Sequence, residues 1–484
     1  MVRMATTAIT AMKADRGAAR PRVWLLLLSA AYAGAATAGV DFVPEVSVGV
    51  ANTDNVLLVP DNPQTATVYE LLPSFRLTQK GKRMVSEVDY HLEAYRYQQL
   101  SDQDVYQNFN AVSTFALDPD NFFFEVGAAR DQTIKDPASP IPLTNLGHTS
   151  NRVDRNDYYV KPSFQYPIGD NAMAQGSFRQ DSIHYAHAEA FVIPSFETGT
   201  MQFSLNNYRK ARGATWALKY NSEKTAFDQF EPWEHRQATV EVGGWVARSL
   251  RLYASAGKES PWDSLTSTSL TDSLSEVGFA TDPDRHVSLD IATGHRSYGT
   301  SHRASLSGAF AHGHTALQYS EGPITQGYDY QRDLILGGLA RVGSYDLLNR
   351  PGVAERFLSK SLSWSLTLDF NRLSFSAAVF DESRAHRVAL SGLALEDESQ
   401  SRVDMLVAWR ARARTTVGLG AEGSHRELGT VAYSLTSLFV TAGYQLGRRT
   451  TLSSKLTRTT GESHSVVAYR VNVIELTLNR RFTN

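Results

Sequence analysis

Residues 361–380 read SLSWSLTLDF-NR-LSFSAAVF, and the alternation of residue types in this stretch decides the fold class. Apolar side chains occupy every second position of both halves, and serine, threonine and aspartate stand between them in the first half. Because successive side chains of a strand point to opposite faces, the pattern predicts a hairpin with one apolar face. Two folds use such a hairpin. A second sheet buries the apolar face, or a membrane barrel turns it to lipid and lines a wet lumen with the other face.

The order of the connections separates these two folds. Short turns such as Asn371-Arg372 and Gly447-Arg448 alternate with longer connections at 53–66, 134–152, 187–196, 258–270, 322–359 and 382–400. Tight turns at one end and longer loops at the other are typical of outer-membrane barrels, whereas a Greek-key sandwich would mix the order. The sequence therefore predicts an all-β, transmembrane, antiparallel up-and-down barrel over residues 39–484. The expected strand number is even, in the range of about 18–22, and the segments favour about 22.

The N-terminus has the pattern of a secretory signal peptide over residues 1–38. A basic region contains Arg16, Arg20 and Arg22, an apolar stretch follows at 23–36, and Ala36-Thr37-Ala38 is a small-x-small cleavage site. The alternative is an N-terminal anchor helix. Sec-type export with cleavage near Ala38 would deliver the chain to the outer membrane of a Gram-negative cell.

Composition narrows the class of protein and its partners. The chain has 484 residues, 42% of them hydrophobic and 20% charged, which is too apolar for disorder. It has no cysteine, so the fold needs no disulfide. The net charge of -2 argues against a nucleic-acid binder. Apolar residues at alternate positions near the C-terminus, with the aromatic Phe482, resemble an assembly signal. We therefore expect outer-membrane lipid, lipopolysaccharide and the barrel assembly machinery as partners.

The polar face of the predicted strands supplies candidate lumen residues. Opposite charges on the wall of a pore favour hydrophilic solutes over lipids. The candidates are Glu87, Asp89, His91, Glu93, Glu241, Arg251, Asp369, Arg402, Asp404 and Arg410. The first four share one face of one strand, and a cation site or acid–base pair is the alternative to a simple polar wall.

The longest connection, 322–359, is a candidate constriction of the lumen. It contains apolar residues and a helix-compatible run after Pro351, and a loop of this length and composition is expected to pack against something. We expect it to fold into the lumen, with Tyr328, Arg341, Glu355 and Arg356 as constriction residues. An external cap over the barrel is the alternative.

Tyrosines and histidines near strand ends have two interpretations each. Five tyrosines, Tyr95, Tyr97, Tyr158, Tyr159 and Tyr185, predict an interfacial girdle, and stacking on sugar rings is the alternative. Asp181, His184, His187 and Glu189 offer metal-ligand chemistry, although their spacing matches no known metalloprotease motif. No nucleophile elbow, P-loop or dinucleotide fingerprint stands in a strand-to-helix context. We therefore expect no catalytic residue, no bound metal and no cofactor.

Four segments carry a family resemblance. They are TDNVL at 53–57, GHRSYG at 294–299, LQYSE at 317–321 and FDESR at 380–384. In this order they resemble outer-membrane barrel proteins associated with PEP-CTERM/exosortase exopolysaccharide systems, which are grouped with β-barrel porins. Where the family has a paired basic dipeptide, this chain has His295-Arg296 and Ser383-Arg384.

The resemblance implies an outer-membrane location, no catalytic residues, and exopolysaccharide or its export components as partners. The expected function is a porin-like passive conduit, or an accessory to export of a hydrophilic polymer. Two alternatives remain open. One is a structural or adhesive barrel with a closed lumen that binds polysaccharide. The other is a barrel hydrolase or acyltransferase that uses His184 or His187 with a nearby serine.

Overall fold

The computed structural model describes most of the chain after residue 38. The described residues are 39–134, 145–186, 195–207, 213–227, 230–262, 269–281, 286–325, 355–389, 395–429, 431–463 and 468–482. The predicted signal peptide lies outside them. No helix found in these ranges is long and apolar enough to cross a membrane.

Twenty-two antiparallel strands form one sheet in the described part of the chain, so the prediction of an all-β barrel with about 22 strands is confirmed. The first eleven are β1 (Gly39–Thr53), β2 (Ala66–Lys80), β3 (Met84–Tyr97), β4 (Asp102–Asp118), β5 (Phe122–Ile134), β6 (Arg152–Ile168), β7 (Ala172–Ala186), β8 (Phe196–Asn206), β9 (Ala214–Phe227), β10 (Phe230–Ala247) and β11 (Leu250–Glu259). The others are β12 (Asp272–Thr281), β13 (Val287–Arg296), β14 (Gly299–Phe310), β15 (Gly313–Thr325), β16 (Glu355–Asp369), β17 (Leu373–Ala389), β18 (Glu398–Arg412), β19 (Thr415–Leu428), β20 (Val431–Gly447), β21 (Thr450–Ser463) and β22 (Tyr469–Arg481).

The sheet closes on itself. Each strand pairs with its neighbour in sequence, and β1 also pairs with β22, from Glu45 opposite Arg481 to Thr53 opposite Val473. Closure leaves no edge strand, which is the condition for a sheet to cross a bilayer. A two-layer sandwich is thereby excluded.

The two faces of the barrel differ as the alternation requires. Residues paired across antiparallel strands share a face, so Trp364 lies beside Val379 and Val379 beside Val403. Large apolar side chains on this face are open to the surroundings, and Ile474 is 62% exposed. A belt of exposed Val, Leu and Phe around a closed sheet is the lipid-facing surface of a membrane barrel. The opposite face lines the lumen.

Strand bounds correct two predicted loops. β15 continues to Thr325 and β16 begins at Glu355, so Glu355 and Arg356 lie in a strand and not in a constriction loop. The helical run expected after Pro351 is wrong from residue 355 onward, because these residues pair with the end of β17. Likewise β17 extends to Ala389, which shortens the predicted 382–400 loop. Tyr328 and Arg341 lie outside the described residues.

The orientation of the faces predicts that a valine-to-arginine substitution destabilises the barrel far more on the outer face than on the inner face. Val242→Arg places a charge on the outer face, where Val242 is 57% exposed, and should lower the free energy of unfolding by about 2–4 kcal/mol in lipid vesicles. Val112→Arg is the matched control, because Val112 is paired with Glu87 on the inner face. It should change stability by less than about 1 kcal/mol. Urea unfolding followed by tryptophan fluorescence measures both, and equal losses would contradict the assigned orientation.

Candidate functional site: the lumen and its external mouth

All ten predicted lumen residues lie on the inner face of their strands. Glu87, Asp89, His91 and Glu93 occupy alternate positions of β3, and Val88, Tyr90, Leu92 and Ala94 lie on the opposite face. The others are Glu241 on β10, Arg251 on β11, Asp369 on β16, and Arg402, Asp404 and Arg410 on β18. Their contribution to solute passage stays a prediction.

Charges of the inner wall are paired between neighbouring strands and not across the pore. Glu241 accepts hydrogen bonds from Lys219 Nζ at 2.6 Å and Arg251 Nη1 at 3.0 Å. Arg402 donates to Asp404 at 2.8 Å and lies 3.2 Å from Glu422. Opposite charges this close largely cancel each other's field in the lumen along this part of the wall.

A second ion-pair group lies on β16 to β19 toward the external end. The buried Glu382 accepts hydrogen bonds from Ser359 Oγ at 2.5 Å, Arg384 Nε at 2.8 Å and Gln400 Nε2 at 2.6 Å. Arg426 contacts Glu398 on the adjacent strands. Each of these carboxylates has a guanidinium partner, so this wall is also close to neutral.

The wall formed by β2 to β4 is different, and we call it the acidic wall. Its inner face carries Glu87, Asp89, Glu93, Asp102 and Asp104. Glu93 is held by neutral donors: the Tyr95 hydroxyl at 2.8 Å, Asn108 at 3.1 Å and Asn145 at 2.6 Å. These donors carry no positive charge, so they orient the Glu93 carboxylate without forming an ion pair.

Within the described part of the chain, the guanidinium of Arg76 contacts two carboxylates of the acidic wall, and Arg152 donates to the Tyr106 hydroxyl of β4 at 2.8 Å. Arg76 donates to Asp89 at 2.7 Å and lies 3.7 Å from Glu87. Asp104 accepts from the Tyr97 hydroxyl at 3.0 Å and contacts His148 at 2.9 Å. The acidic wall therefore gives the lumen a negative side.

Two external segments fold inward and pack on this wall. Val56 and Leu58 of the β1–β2 loop are 1% and 3% exposed, and Leu146 packs with them. They contact inner-face residues including Val68, Tyr95, Tyr97, Leu435, Tyr469, Val471 and Val473. We call this group the mouth cluster. Sequence reasoning missed it, because the loop prediction was directed to the longest connection and not to the first.

Asp54 and Asn55 fix the loop that carries the mouth cluster. Asn55 Nδ2 donates to the carbonyls of Val59 at 2.6 Å and Arg470 at 3.1 Å, and Asn55 Oδ1 accepts from Val59 N at 3.0 Å. The Asp54 carboxylate accepts from the backbone and side-chain nitrogens of Asn472, at 2.7 and 2.6 Å. Short Asx side chains that bond nearby backbone are the sequence signal for such a turn.

The backbone of the two inward segments is also joined. The amide of His148 donates to the carbonyl of Val56 at 2.9 Å. A cavity of about 30 Å³, roughly the room for one water molecule, remains under the cluster between Leu58, Leu146 and Thr457. The mouth cluster is therefore a packed element and not a loose loop.

The predicted tyrosine girdle is wrong for four of its five members. Tyr95, Tyr97, Tyr159 and Tyr185 lie on the inner face, and only Tyr158 lies on the lipid-facing side. The Tyr159 hydroxyl donates to Glu125 at 3.1 Å, and the Arg179 guanidinium lies 4.0 Å from the ring centre. Strand parity decides the face, and position near a strand end does not reveal it.

The predicted histidine site does not assemble in the described residues. Asp181 is fully buried on the inner face against Arg179, whereas His184 lies on the outer face with Ser182 Oγ 3.0 Å from its Nε2. His187 and Glu189 lie outside the described part of the chain. Within that part, no three His, Asp or Glu side chains converge to hold a metal ion.

Arg356, which was predicted to be a constriction residue, donates to the carbonyl of Trp262 at 2.6 Å.

Comparison with known proteins finds solved structures that resemble this chain at low sequence identity. No family model and no curated protein matches the sequence. The siderophore receptor PirA from Pseudomonas aeruginosa is 11% identical, with a TM-score of 0.45, over 91% of this chain and 80% of that one. The FrpB iron transporter from Neisseria meningitidis is 8% identical, with a TM-score of 0.47, over 91% and 82%. OccAB3 of Acinetobacter baumannii is 9% identical, with a TM-score of 0.34, over 92% and 99%.

The role of Asn55 can be tested by truncation. Asn55→Ala removes three hydrogen bonds that fix the inward loop and should lower the free energy of unfolding by about 1–3 kcal/mol. It should also expose residues 54–65 to protease. Asp61→Ala is the matched control, because Asp61 is an exposed residue of the same loop. Limited proteolysis with mass spectrometry compares the variants, and equal cleavage rates would contradict the assigned role of Asn55.

Proposed function

We propose that this protein is a porin-like outer-membrane barrel that acts as a passive conduit for hydrophilic solutes, exported by a Sec-type route with cleavage near Ala38. The observation that carries the proposal is the closed 22-stranded sheet with an apolar outer face and a charged inner face. A barrel of this strand number is too wide for its wall side chains to fill. A polar lumen lowers the cost of moving a hydrophilic solute across the bilayer.

The exopolysaccharide part of the proposal rests on the family resemblance of the four segments. One of them, TDNVL at 53–57, contains the Asp54 and Asn55 that hold the mouth cluster. We propose that the conduit serves, or assists, export of a hydrophilic polymer in a PEP-CTERM/exosortase system. Exopolysaccharide or its export components would then be the partner.

Conductance of the full-length protein in planar bilayers tests the conduit directly. Step currents are expected from preparations that show heat-modifiable migration on a denaturing gel, the behaviour of a folded barrel. Folded protein without step currents would reject the conduit, and loss of current on adding oligosaccharides would support passage of a sugar polymer.

The mouth cluster favours a second candidate function, a closed barrel that binds polysaccharide at its external end. Apolar residues buried at an aqueous mouth hold the first loop in place and narrow the entrance. If Asn55→Ala conducts and the unaltered protein does not, the lumen is closed at rest. Binding of exopolysaccharide to intact cells would then be the expected activity.

The acidic wall predicts the ion preference of the conduit. A potassium chloride gradient across the bilayer should give a reversal potential of cation-selective sign, because negative wall charge concentrates cations. Glu87→Gln with Asp102→Asn should lower the K⁺ over Cl⁻ permeability ratio by about twofold or more. Glu462→Gln, on the outer face of β21, is the control and should leave the ratio unchanged.

The acidic wall also predicts the charge of the polymer that the conduit would pass. A negative lumen side favours neutral chains over polyanionic ones. An anion-selective reversal potential in the unaltered protein would contradict this inference while leaving the conduit itself in place.

A further inference from the structure

A serine, a histidine and a glutamate are in hydrogen-bond contact on the outer face of the barrel. His425 Nδ1 lies 2.8 Å from Ser434 Oγ, and His425 Nε2 lies 3.1 Å from Glu427 Oε1. An imidazole between a hydroxyl and a carboxylate is the arrangement that activates a serine for acyl transfer. We infer that these three residues form a hydrolytic site for the acyl ester of an outer-leaflet lipid.

Rigid strands position the three side chains. His425 and Ser434 are directly opposite each other across β19 and β20, and Glu427 follows His425 by two residues on the same face. Cross-strand partners keep their β-carbons about 4.5–5.5 Å apart, so the serine–histidine contact follows from the register. This site is on the outer wall and does not depend on an open lumen.

The depth of the site suits an ester carbonyl. Leu438 and Leu419, 54% and 59% exposed, lie on the same face and belong to the apolar belt. A single row, Gly423 paired with Thr436, separates Ser434 and His425 from the row of Leu438. Lipid ester groups lie where the hydrocarbon ends and the polar region begins, so acyl chains on Leu438 would bring their carbonyls to Ser434.

Gly423 leaves room for the substrate. A β-carbon built at Gly423 meets no atom within 4 Å, so the outer surface is recessed beside His425. The hydroxyls of Thr436 and Ser401 lie on the same face, one row from Ser434 and one strand from His425. They supply donors for the negative charge that develops on the carbonyl oxygen.

The proposed reaction begins with transfer of the acyl group to Ser434. Ser434 Oγ forms a bond to the carbonyl carbon while His425 takes the hydroxyl proton. The carbon–oxygen bond to the glycerol or sugar then breaks, and His425 gives that proton to the leaving alcohol. His425 then takes a proton from a water molecule whose oxygen bonds to the acyl carbon, the bond to Ser434 Oγ breaks, and His425 returns the proton to Ser434 as the fatty acid leaves. Glu427 is a positioning residue that orients the imidazole.

The Glu427 carboxylate distinguishes this site from a second serine–histidine contact in the described residues. Ser182 Oγ lies 3.0 Å from His184 Nε2, also on the outer face, but no carboxylate of the described ranges contacts that ring. The Ser182–His184 pair therefore provides an internal comparison, and we expect only Ser434 to be reactive.

Covalent labelling of the full-length, folded barrel tests the site. A fluorophosphonate forms a serine–phosphorus bond with loss of fluoride, and peptide mass spectrometry should find the adduct on Ser434. Ser434→Ala and His425→Ala should abolish labelling, whereas Ser182→Ala should retain it. Heat-modifiable migration of each variant shows that the barrel has folded.

Fatty-acid release identifies the lipid source. Vesicles of phosphatidylethanolamine and vesicles containing lipopolysaccharide are separate arms, and release in one arm assigns the ester. Ser434→Ala should lower release by about 10³-fold or more. Glu427→Gln should lower kcat with KM unchanged, and Glu427→Asp should restore part of kcat. Gly423→Leu should raise KM by filling the recess.

Two results would overturn the inference. One is folded protein with no adduct on Ser434 and no fatty acid released in either arm. The other is release that Ser434→Ala leaves intact. Neither result depends on whether the lumen conducts.

Discussion

Backbone hydrogen bonding between β1 and β22 closes the sheet, and the remaining features of the molecule depend on this closure. Without it, the free edges of two strands would carry unpaired N–H and C=O groups into hydrocarbon, at a cost of several kcal/mol each. Closure also gives the sheet a definite inside and outside. The period-two alternation of side chains then becomes a division between lipid and water.

The inner wall shows how a wide lumen accommodates charge. On β9 to β11 and β16 to β19, carboxylates lie beside guanidinium or ammonium groups of the same or the next strand. On the acidic wall, tyrosine and asparagine take the place of most cations. Neutral donors also orient a carboxylate by hydrogen bonding. Unlike a cation, they do not neutralise its charge, which therefore acts on the lumen.

The external end combines elements far apart in the sequence. Asp54 bonds Asn472 over 418 residues, and the loop it belongs to packs on Tyr97 and Leu146. On the outside of the same end, His425 joins Ser434 and Glu427. The mouth cluster and the Ser434 site are separate surfaces, one on each side of the barrel wall.

The sequence by itself determined the strand pattern and the face of each luminal charge, and it predicted a strand number of about 22. These follow from local alternation and from turns between adjacent strands, which need no knowledge of distant contacts. The sequence predicted the structure of the loops and strand ends less accurately. It placed Glu355 and Arg356 in a constriction, whereas β16 pairs them with its neighbours. It also assigned Tyr95 and Tyr97 to the lipid interface. Nearness to a strand end does not reveal which face of the strand a side chain occupies.

Only the tertiary structure decided which loop folds inward and which side chains meet across strands. Those outcomes depend on strand register and on partners hundreds of residues away, and no local pattern of residues encodes either.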